Sequence, residues 1–124
     1  MSGFIWVGLG GACGAIARYA TGLWFAGMGV TAWPAATFAV NILGSLVIGV
    51  AYVLLQKSIL TPDMRGLLMV GFCGGFTTFS AFSLEMLSLM ERGQGAQAAL
   101  YAVASVLCCL MAVIAGVALT RALL

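Results

Sequence analysis

The sequence predicts an all-α membrane protein, with four transmembrane helices and a break in the third. Hydrophobic residues make up 64% of the chain and charged residues only 6%, whereas soluble domains carry roughly 25% charged residues. One membrane-spanning helix needs about 20 mostly apolar residues, and about four such stretches fit into the 124 residues with short connections. We therefore expect a single four-helix domain, residues 1–124, whose main solvent is the lipid bilayer.

The first helix is predicted over residues 3–25. No basic region precedes it and it is long enough to span the bilayer, which indicates a retained helix rather than a signal peptide. Gly10 and Gly14 have the spacing that lets another helix backbone approach closely. Arg18 is the only charge in this helix, and two interpretations stay open: an anchor whose stem reaches the membrane surface, or a residue at a pore mouth.

The second helix is predicted over residues 35–56, with Trp33 and Pro34 as its interfacial start. It carries Asn41 in its apolar interior. An unpaired amide in hydrocarbon costs several kcal/mol, so the side chain of Asn41 must find a partner.

The third helix is predicted over residues 66–90, after a polar connection in which Pro62 and Asp63 indicate a turn or a helix start. Its central part, residues 71–83, replaces the usual aliphatic side chains with glycines, hydroxyls and phenylalanines. The glycines that can break this helix are Gly71, Gly74 and Gly75. Carbonyl groups freed at such a break must find partners in protein, water or a bound cation.

Two rows of side chains are expected on the third helix, each with a spacing of three residues. The members are Thr77, Ser80 and Ser83 in one row, and Phe76, Phe79 and Phe82 in the other. Helical spacing places the rows side by side, so hydroxyl donors adjoin aromatic rings whose edges carry positive potential and can face an anion. The alternative is plain helix packing, with each hydroxyl bonded to the carbonyl four residues back.

The fourth helix is predicted over residues 96–119, after a short turn at 91–93. Its polar members Tyr101 and Ser105 add hydroxyls at a depth similar to that of the Asn41 amide. Neutral donors without lysines suit a small anion that must lose its water and still leave again. Glu85, near the end of the third helix, is interpreted as a solvated or hydrogen-bonded end residue.

Composition excludes several other functions. The chain has no histidine, which removes haem ligation, most zinc chemistry and the commonest general base. No nucleophile has a base beside it, so we do not expect an enzyme. A net charge of +2 is too small to indicate a nucleic-acid partner. The cysteines fall in apolar segments without metal-ligand spacing and are interpreted as small packing residues: Cys13, Cys73, Cys108 and Cys109.

Polar side chains are concentrated in the half of the bundle that lies away from the termini. Helical rise assigns to that half Arg18, Thr21, Thr37, Asn41, Ser80, Ser83, Ser88, Tyr101 and Ser105. The basic residues divide almost evenly between the two sides, so the positive-inside rule hardly sets an orientation. One subunit thus offers a polar path through half of the bilayer, and a second copy packed antiparallel would supply the other half. We infer an antiparallel, dual-topology homodimer.

Three stretches resemble the signatures of the Fluc (CrcB-type) fluoride channels. They are residues 10–19 (GGACGAIARY), residues 37–45 (TFAVNILGS) and residues 71–83 (GFCGGFTTFSAFS), the last being the most specific. The length and the four-helix layout extend the likeness to nearly the whole chain. One departure is Ala81, where the family commonly has threonine, and it removes one possible hydroxyl contact.

The resemblance implies a passive channel, selective for fluoride over chloride, in the inner membrane of a bacterium, where it exports cytoplasmic fluoride and confers resistance. It further implies two pores per antiparallel homodimer. Phe79 and Phe82 would be the pore phenylalanines and Asn41 a pore donor, Tyr101 and Ser105 would continue the polar track, and Arg18 would sit at the vestibule. A structural Na⁺ at the dimer centre would be held by the main-chain carbonyls of Gly74 and Thr77 from both subunits.

Two other functions remain as alternatives. A small proton-coupled multidrug exporter also forms a short four-span dual-topology dimer, but such coupling needs an acid near the middle of the first helix, which this chain lacks. A purely structural membrane subunit has no need to gather its polar side chains in one half of the bundle.

Overall fold

The computed structural model describes the whole chain, residues Met1–Leu124, and its regular structure is entirely helical. The elements are α1 (Ser2–Gly27), α2 (Ala35–Gln56), α3 (Pro62–Arg65), a π-helix (Gly66–Cys73), α4 (Gly74–Phe76), α5 (Phe79–Glu91) and α6 (Gly95–Leu123). The run Pro62–Glu91 is called the third helix below. The predicted bounds of α2 are confirmed, and the other predicted helices are each somewhat longer than expected.

Three helices are long and apolar enough to cross a membrane: Ala35–Gln56, Pro62–Glu91 and Gly95–Leu123. α1 has 26 residues, which is a sufficient length, but its glycines and Arg18 make it less apolar than the other three. Only 18 of 124 residues are buried within the protomer. Most of the apolar surface must therefore be covered by lipid or by another chain.

The third helix begins where Pro62 and Asp63 predict a start. Thr61 is its N-cap: Thr61 Oγ1 accepts a hydrogen bond from the Met64 N–H at 3.2 Å, and Pro62 occupies the first helical position. At the other end Gly93 adopts a φ of +74°, a left-handed conformation that favours glycine and turns the chain into α6.

α1 packs along the first half of the third helix through glycines on both sides. A Cβ on Gly10 would overlap the Leu67 carbonyl oxygen, and one on Gly14 would overlap that of Phe72. In return, a Cβ on Gly75 would overlap a carbonyl of α1. The close approach predicted from the Gly10 and Gly14 spacing is confirmed.

α2 packs on α6 in the same way and forms the second helix pair of the protomer. A Cβ on Gly49 would overlap the Val113 carbonyl oxygen, and one on Gly116 would overlap that of Leu46. The two pairs meet where α5 packs on α6 and where α1 and the π-helix contact α2. Residues from α2, the third helix and α6 therefore face one another across a common interior.

Thr77 and Thr78 are the non-helical residues within the third helix. Their backbones are extended, with φ and ψ of −83° and 158° at Thr77 and −151° and 121° at Thr78. The sequence pointed to glycines as the helix breakers, but Gly71, Gly74 and Gly75 are all helical. Two of them serve close packing instead, since a Cβ on either Gly71 or Gly75 would clash with α1.

Candidate anion site

The extended pair Thr77–Thr78 is held by the side chain of Asn41. Asn41 Nδ2 donates to the Thr78 carbonyl oxygen at 3.1 Å, and Asn41 Oδ1 accepts from the Thr78 N–H at 2.8 Å. Thr78 in turn is the N-cap of α5, because its Oγ1 accepts from the Ala81 N–H at 3.1 Å. The partner that Asn41 needs is thus the backbone of the third helix, and one of its two amide N–H groups remains for another acceptor.

These bonds divert two N–H groups from the carbonyls they would bond in a continuous helix. The Thr78 N–H lies four residues after Gly74 and donates to Asn41; the Ala81 N–H lies four residues after Thr77 and donates to Thr78. The carbonyls of Gly74 and Thr77 therefore lose their usual helical donors. Added space is available at Gly74, where a Cβ would meet nothing within 4 Å.

Arg18 contacts the same region from α1. Its Nε donates to the Gly75 carbonyl oxygen at 3.0 Å, two residues before Thr77. Arg18 as a residue is half-buried. The contact places Arg18 beside the interrupted part of the third helix, and its role at a pore mouth stays a prediction.

A cavity of about 410 Å³ opens beside the extended pair. Its lining combines residues of α2, the third helix and α6: Asn41, Gly44, Ser45, Ile48, Met69, Cys73, Gly74, Thr77, Thr78, Phe79, Phe82, Ser105, Val106 and Cys109. Five residues selected from the sequence as pore or cation-site candidates beyond Asn41 are among them, namely Phe79, Phe82, Ser105, Gly74 and Thr77.

Ser105 is one of the lining residues, and its hydroxyl is buried without a hydrogen-bond partner in the protein. Its side chain is only 7% exposed, and its Oγ has no hydrogen-bond partner within the protein. Buried hydroxyls are normally paired, because an unpaired one costs free energy. A hydrogen-bond donor without an acceptor in the protein therefore lies in the cavity wall.

Phe79 and Phe82 form one wall of the cavity, but they differ in exposure. Their ring centroids lie 5.5 Å apart, and Phe82 also packs against Tyr101 in a tilted arrangement, with ring centroids 5.0 Å apart. Phe79 is 79% exposed on the protomer. Phe76, expected in the same row, is buried and stacks on Phe72 at 5.4 Å instead, because the extended pair separates it from α5.

The predicted row of hydroxyls is also interrupted by the extended pair. Thr77 Oγ1 donates to the Cys73 carbonyl at 2.8 Å, and Ser83 Oγ donates to the Phe79 carbonyl at 2.8 Å. Ser80 Oγ pairs with Thr78 Oγ1 at 3.2 Å. For Thr77 and Ser83 the alternative interpretation, a bond to the carbonyl four residues back, describes the geometry.

Glu85 links the remaining candidates. Thr37 Oγ1 donates to Glu85 Oε1 at 2.6 Å, and the Tyr101 hydroxyl donates to Glu85 Oε2 at 2.8 Å. Tyr101 has no exposed surface and Thr37 is 9% exposed. Glu85 is therefore a hydrogen-bonded residue rather than a solvated one. The sequence signal for its hydroxyl partners was the presence of an acid within an apolar segment, since such an acid must be paired.

A second cavity of about 160 Å³ borders Glu85. It is lined by Thr31, Ala32, Trp33, Pro34, Glu85, Ser88, Leu89 and Arg92. Arg92 Nη2 donates to Ser88 Oγ at 2.9 Å there. A chain of contacts through Phe82, Tyr101 and Glu85 thus connects the large cavity to a small polar one at the end of α5.

No group of three or more His, Cys, Asp or Glu side chains could hold a metal ion. The oxygen donors that remain for a cation are main-chain carbonyls, and those of Gly74 and Thr77 have had their helical donors diverted. Carbonyl oxygens are ligands that hard cations accept.

Comparison with known proteins identifies the family. Residues 5–117 match the family model described as "CrcB-like protein, Camphor Resistance (CrcB)". The chain belongs to the CrcB family. The match spans all the helices that line the cavity, so the resemblance of the three sequence stretches to CrcB-type proteins is confirmed.

Similar CrcB relatives are each named "Fluoride-specific ion channel FluC". The one from Hahella chejuensis is 47% identical over 121 residues, which make up 97% of this chain and 95% of the relative. The one from Rhizobium johnstonii is 48% identical over 120 residues, or 96% of each chain, and the one from Erythrobacter litoralis is 50% identical over 121 residues, or 93% and 89%. The CrcB match gives no support to a multidrug exporter.

Proposed function

We propose that this protein is a passive, fluoride-selective ion channel that exports cytoplasmic fluoride and thereby confers resistance to it. The relatives that align over nearly the whole chain carry the name of fluoride-specific channels. The structural observation that carries the proposal is the buried, unpartnered hydroxyl of Ser105 in the wall of a cavity that Phe79 and Phe82 also line.

The donors around this cavity suit a small anion that is stripped of water. Ser105 offers its O–H, Asn41 offers its second N–H, and the two phenylalanines offer ring edges with positive potential. No lysine or arginine lines the cavity, so binding stays weak enough for release. Fluoride is the halide that gains most from hydrogen bonds, because it is the smallest.

The route continues from Phe82 past Tyr101 to the second cavity. Tyr101 and Thr37 present hydroxyls that now serve Glu85, and Ser80 and Ser83 add hydroxyls on the exposed side of α5. Arg18 would contribute positive potential at the vestibule near Gly75. In this proposal the polar side chains form one track through half of the bilayer.

An antiparallel homodimer with two pores completes the route. Phe79 is 79% exposed on the protomer, and Gly74 faces open space, so the cavity lacks a wall that a second copy could supply. The nearly even distribution of basic residues supports insertion in both orientations. All four long helices, including α1, would span the inner (plasma) membrane of a bacterium as one domain.

We further propose a structural Na⁺ where two subunits meet. The carbonyls of Gly74 and Thr77 would hold it, because their helical donors are diverted and a glycine leaves room for the partner. When bound, Na⁺ supplies a fixed positive charge between the two pores. Arg18 engages the neighbouring Gly75 carbonyl and so keeps it out of the ligand set.

A fluoride-electrode assay tests the function. Purified protein in liposomes loaded with potassium fluoride should release fluoride once a potassium ionophore removes the opposing voltage, whereas the same vesicles loaded with potassium chloride should retain chloride. Release of both halides at equal rates, or of neither, would contradict the proposal. Crosslinking between antiparallel copies tests the dimer separately, and detection of parallel pairs alone would reject it.

A further inference from the structure

Two thiols and a thioether line the large cavity, and the proposed fluoride route uses none of them. They belong to Cys73, Cys109 and Met69. Cys73 is 3% exposed, and Cys109 and Met69 are half-buried. All four cysteines are free thiols.

The sulfur groups come from two helices that line the same cavity. Met69 and Cys73 lie one turn apart on the π-helix, just before the extended pair. Cys109 lies on α6, one turn after Ser105. The other two cysteines do not line the cavity, although Cys108 is adjacent to Cys109 in sequence.

Thiolate and thioether sulfur are soft ligands that select soft metal ions such as Cu⁺ over hard cations. No side chain of His, Asp or Glu lines the cavity, so its side-chain donors are sulfur and a few neutral oxygen or amide groups. Two or three sulfur ligands are enough for a monovalent soft ion, which does not require the four ligands of a structural zinc site.

We propose that this cavity binds a soft monovalent metal ion, Cu⁺ or Ag⁺, through Cys73 and Cys109 with support from Met69, and that the bound ion blocks the anion route. Each cysteine that binds releases its proton to water as the metal–sulfur bond forms, and no electron is transferred. A complex of one monovalent cation with two thiolates carries a net negative charge. It therefore repels fluoride as well as filling the space beside Ser105. The block rests on the proposed channel function, whereas the binding does not.

Binding is tested with Ag⁺ on the purified protein in detergent, in nitrate buffer without chloride because silver chloride is insoluble. After removal of free metal, silver per chain is measured by elemental mass spectrometry. We expect the Cys13→Ala/Cys108→Ala variant to retain silver as the unmodified protein does, and the Cys73→Ala/Cys109→Ala variant to lose it. Met69→Leu should weaken binding by about tenfold. Equal silver content in the two double variants would overturn the proposal.

Block is tested in the liposome assay with nitrate as the counterion, since silver fluoride is soluble. Ag⁺ should slow fluoride release through the unmodified protein and through Cys13→Ala/Cys108→Ala, but not through Cys73→Ala/Cys109→Ala. Silver binding at Cys73 and Cys109 without slower release would reject the block. If the protein released no fluoride at all, the silver measurement would still decide the binding site. Size-exclusion profiles of both double variants check that they remain folded.

Discussion

The side-chain amide of Asn41 is bonded to both backbone groups of Thr78, donating to its carbonyl at 3.1 Å and accepting from its N–H at 2.8 Å. Asn41→Ala should leave both groups unsatisfied, at a cost of roughly 1–3 kcal/mol each, and should lower both thermal stability and fluoride flux. Asn41→Asp keeps the acceptor but adds negative charge, so it should lower flux more than stability. Normal flux and melting temperature in Asn41→Ala would show that Asn41 holds nothing.

Ser105→Ala should separate ligand binding from folding. The hydroxyl has no protein partner, so its removal should change the free energy of unfolding by less than about 1 kcal/mol while flux falls about tenfold. Thr120→Ala is a matched control, since the Thr120 hydroxyl lies in the same helix and donates to the Gly116 carbonyl. Unchanged flux in Ser105→Ala would remove Ser105 from the route.

Phe79→Ile and Phe82→Ile should each reduce flux, because isoleucine fills space without offering a ring edge to an anion. Phe79→Ile should leave protomer stability unchanged, since that ring is 79% exposed. Phe82→Ile should lower the melting temperature as well, because it loses the contact with Tyr101. Phe4→Ile, at an exposed position far from the cavity, is the control. If all three variants transported normally, the phenylalanines would have no part in the mechanism.

Glu85→Ala should destabilise the protein, because the hydroxyls of Thr37 and Tyr101 lose their acceptor. Roughly 1–3 kcal/mol is expected for each buried hydroxyl left unpaired. A double-mutant cycle of Glu85→Ala with Tyr101→Phe, read out by thermal unfolding in detergent, should give a coupling above the error of the measurement. Strict additivity would mean that the 2.8 Å bond contributes nothing.

Gly74→Ala should affect dimer assembly, whereas Gly75→Ala should affect the folding of the protomer. A Cβ at Gly75 would overlap a carbonyl of α1, so Gly75→Ala should unfold or loosen the protomer. A Cβ at Gly74 meets nothing in the protomer, so Gly74→Ala should preserve the fold and weaken the proposed dimer. Size-exclusion mass and helicity by circular dichroism distinguish the two. Identical behaviour would refute this division.

Helix number and approximate bounds could be predicted from apolar length, because a membrane helix is set by hydrocarbon thickness more than by particular contacts. The position at which the third helix is interrupted could not be predicted from the sequence. Glycine is a weak helix former, which pointed to Gly74 and Gly75. Gly75 stays helical and packs closely against α1. The extended residues are Thr77 and Thr78 instead, because Asn41 of α2 bonds to the backbone of Thr78, and a contact between two helices cannot be read from the sequence of one.

The residues that line the candidate site could largely be predicted from the sequence, but the hydrogen bonds between residues of different helices could not. Asn41 and Ser105 were selected from residue type and depth, and Phe79 and Phe82 from their spacing and the resemblance to Fluc channels; all four line one cavity. The contact between Thr37 and Glu85 joins residues 48 positions apart, so sequence spacing on one helix could not reveal it. Thr78 was missed because a capping threonine is recognised only once the preceding helix is known to end.

The exposure of Phe79 on the protomer has a consequence for when conduction begins after a chain is inserted into the membrane. On a lone protomer that ring and the adjoining cavity are open. If the proposed dimer is the conducting unit, a freshly inserted single chain would lack a complete route and would not leak ions. If the active unit is a pair, flux per vesicle should rise with the square of protein density when copies are sparse, and linearly once pairing is complete. The open cavity wall would then act as a safeguard during biogenesis, since conduction begins only after two chains of opposite orientation have met.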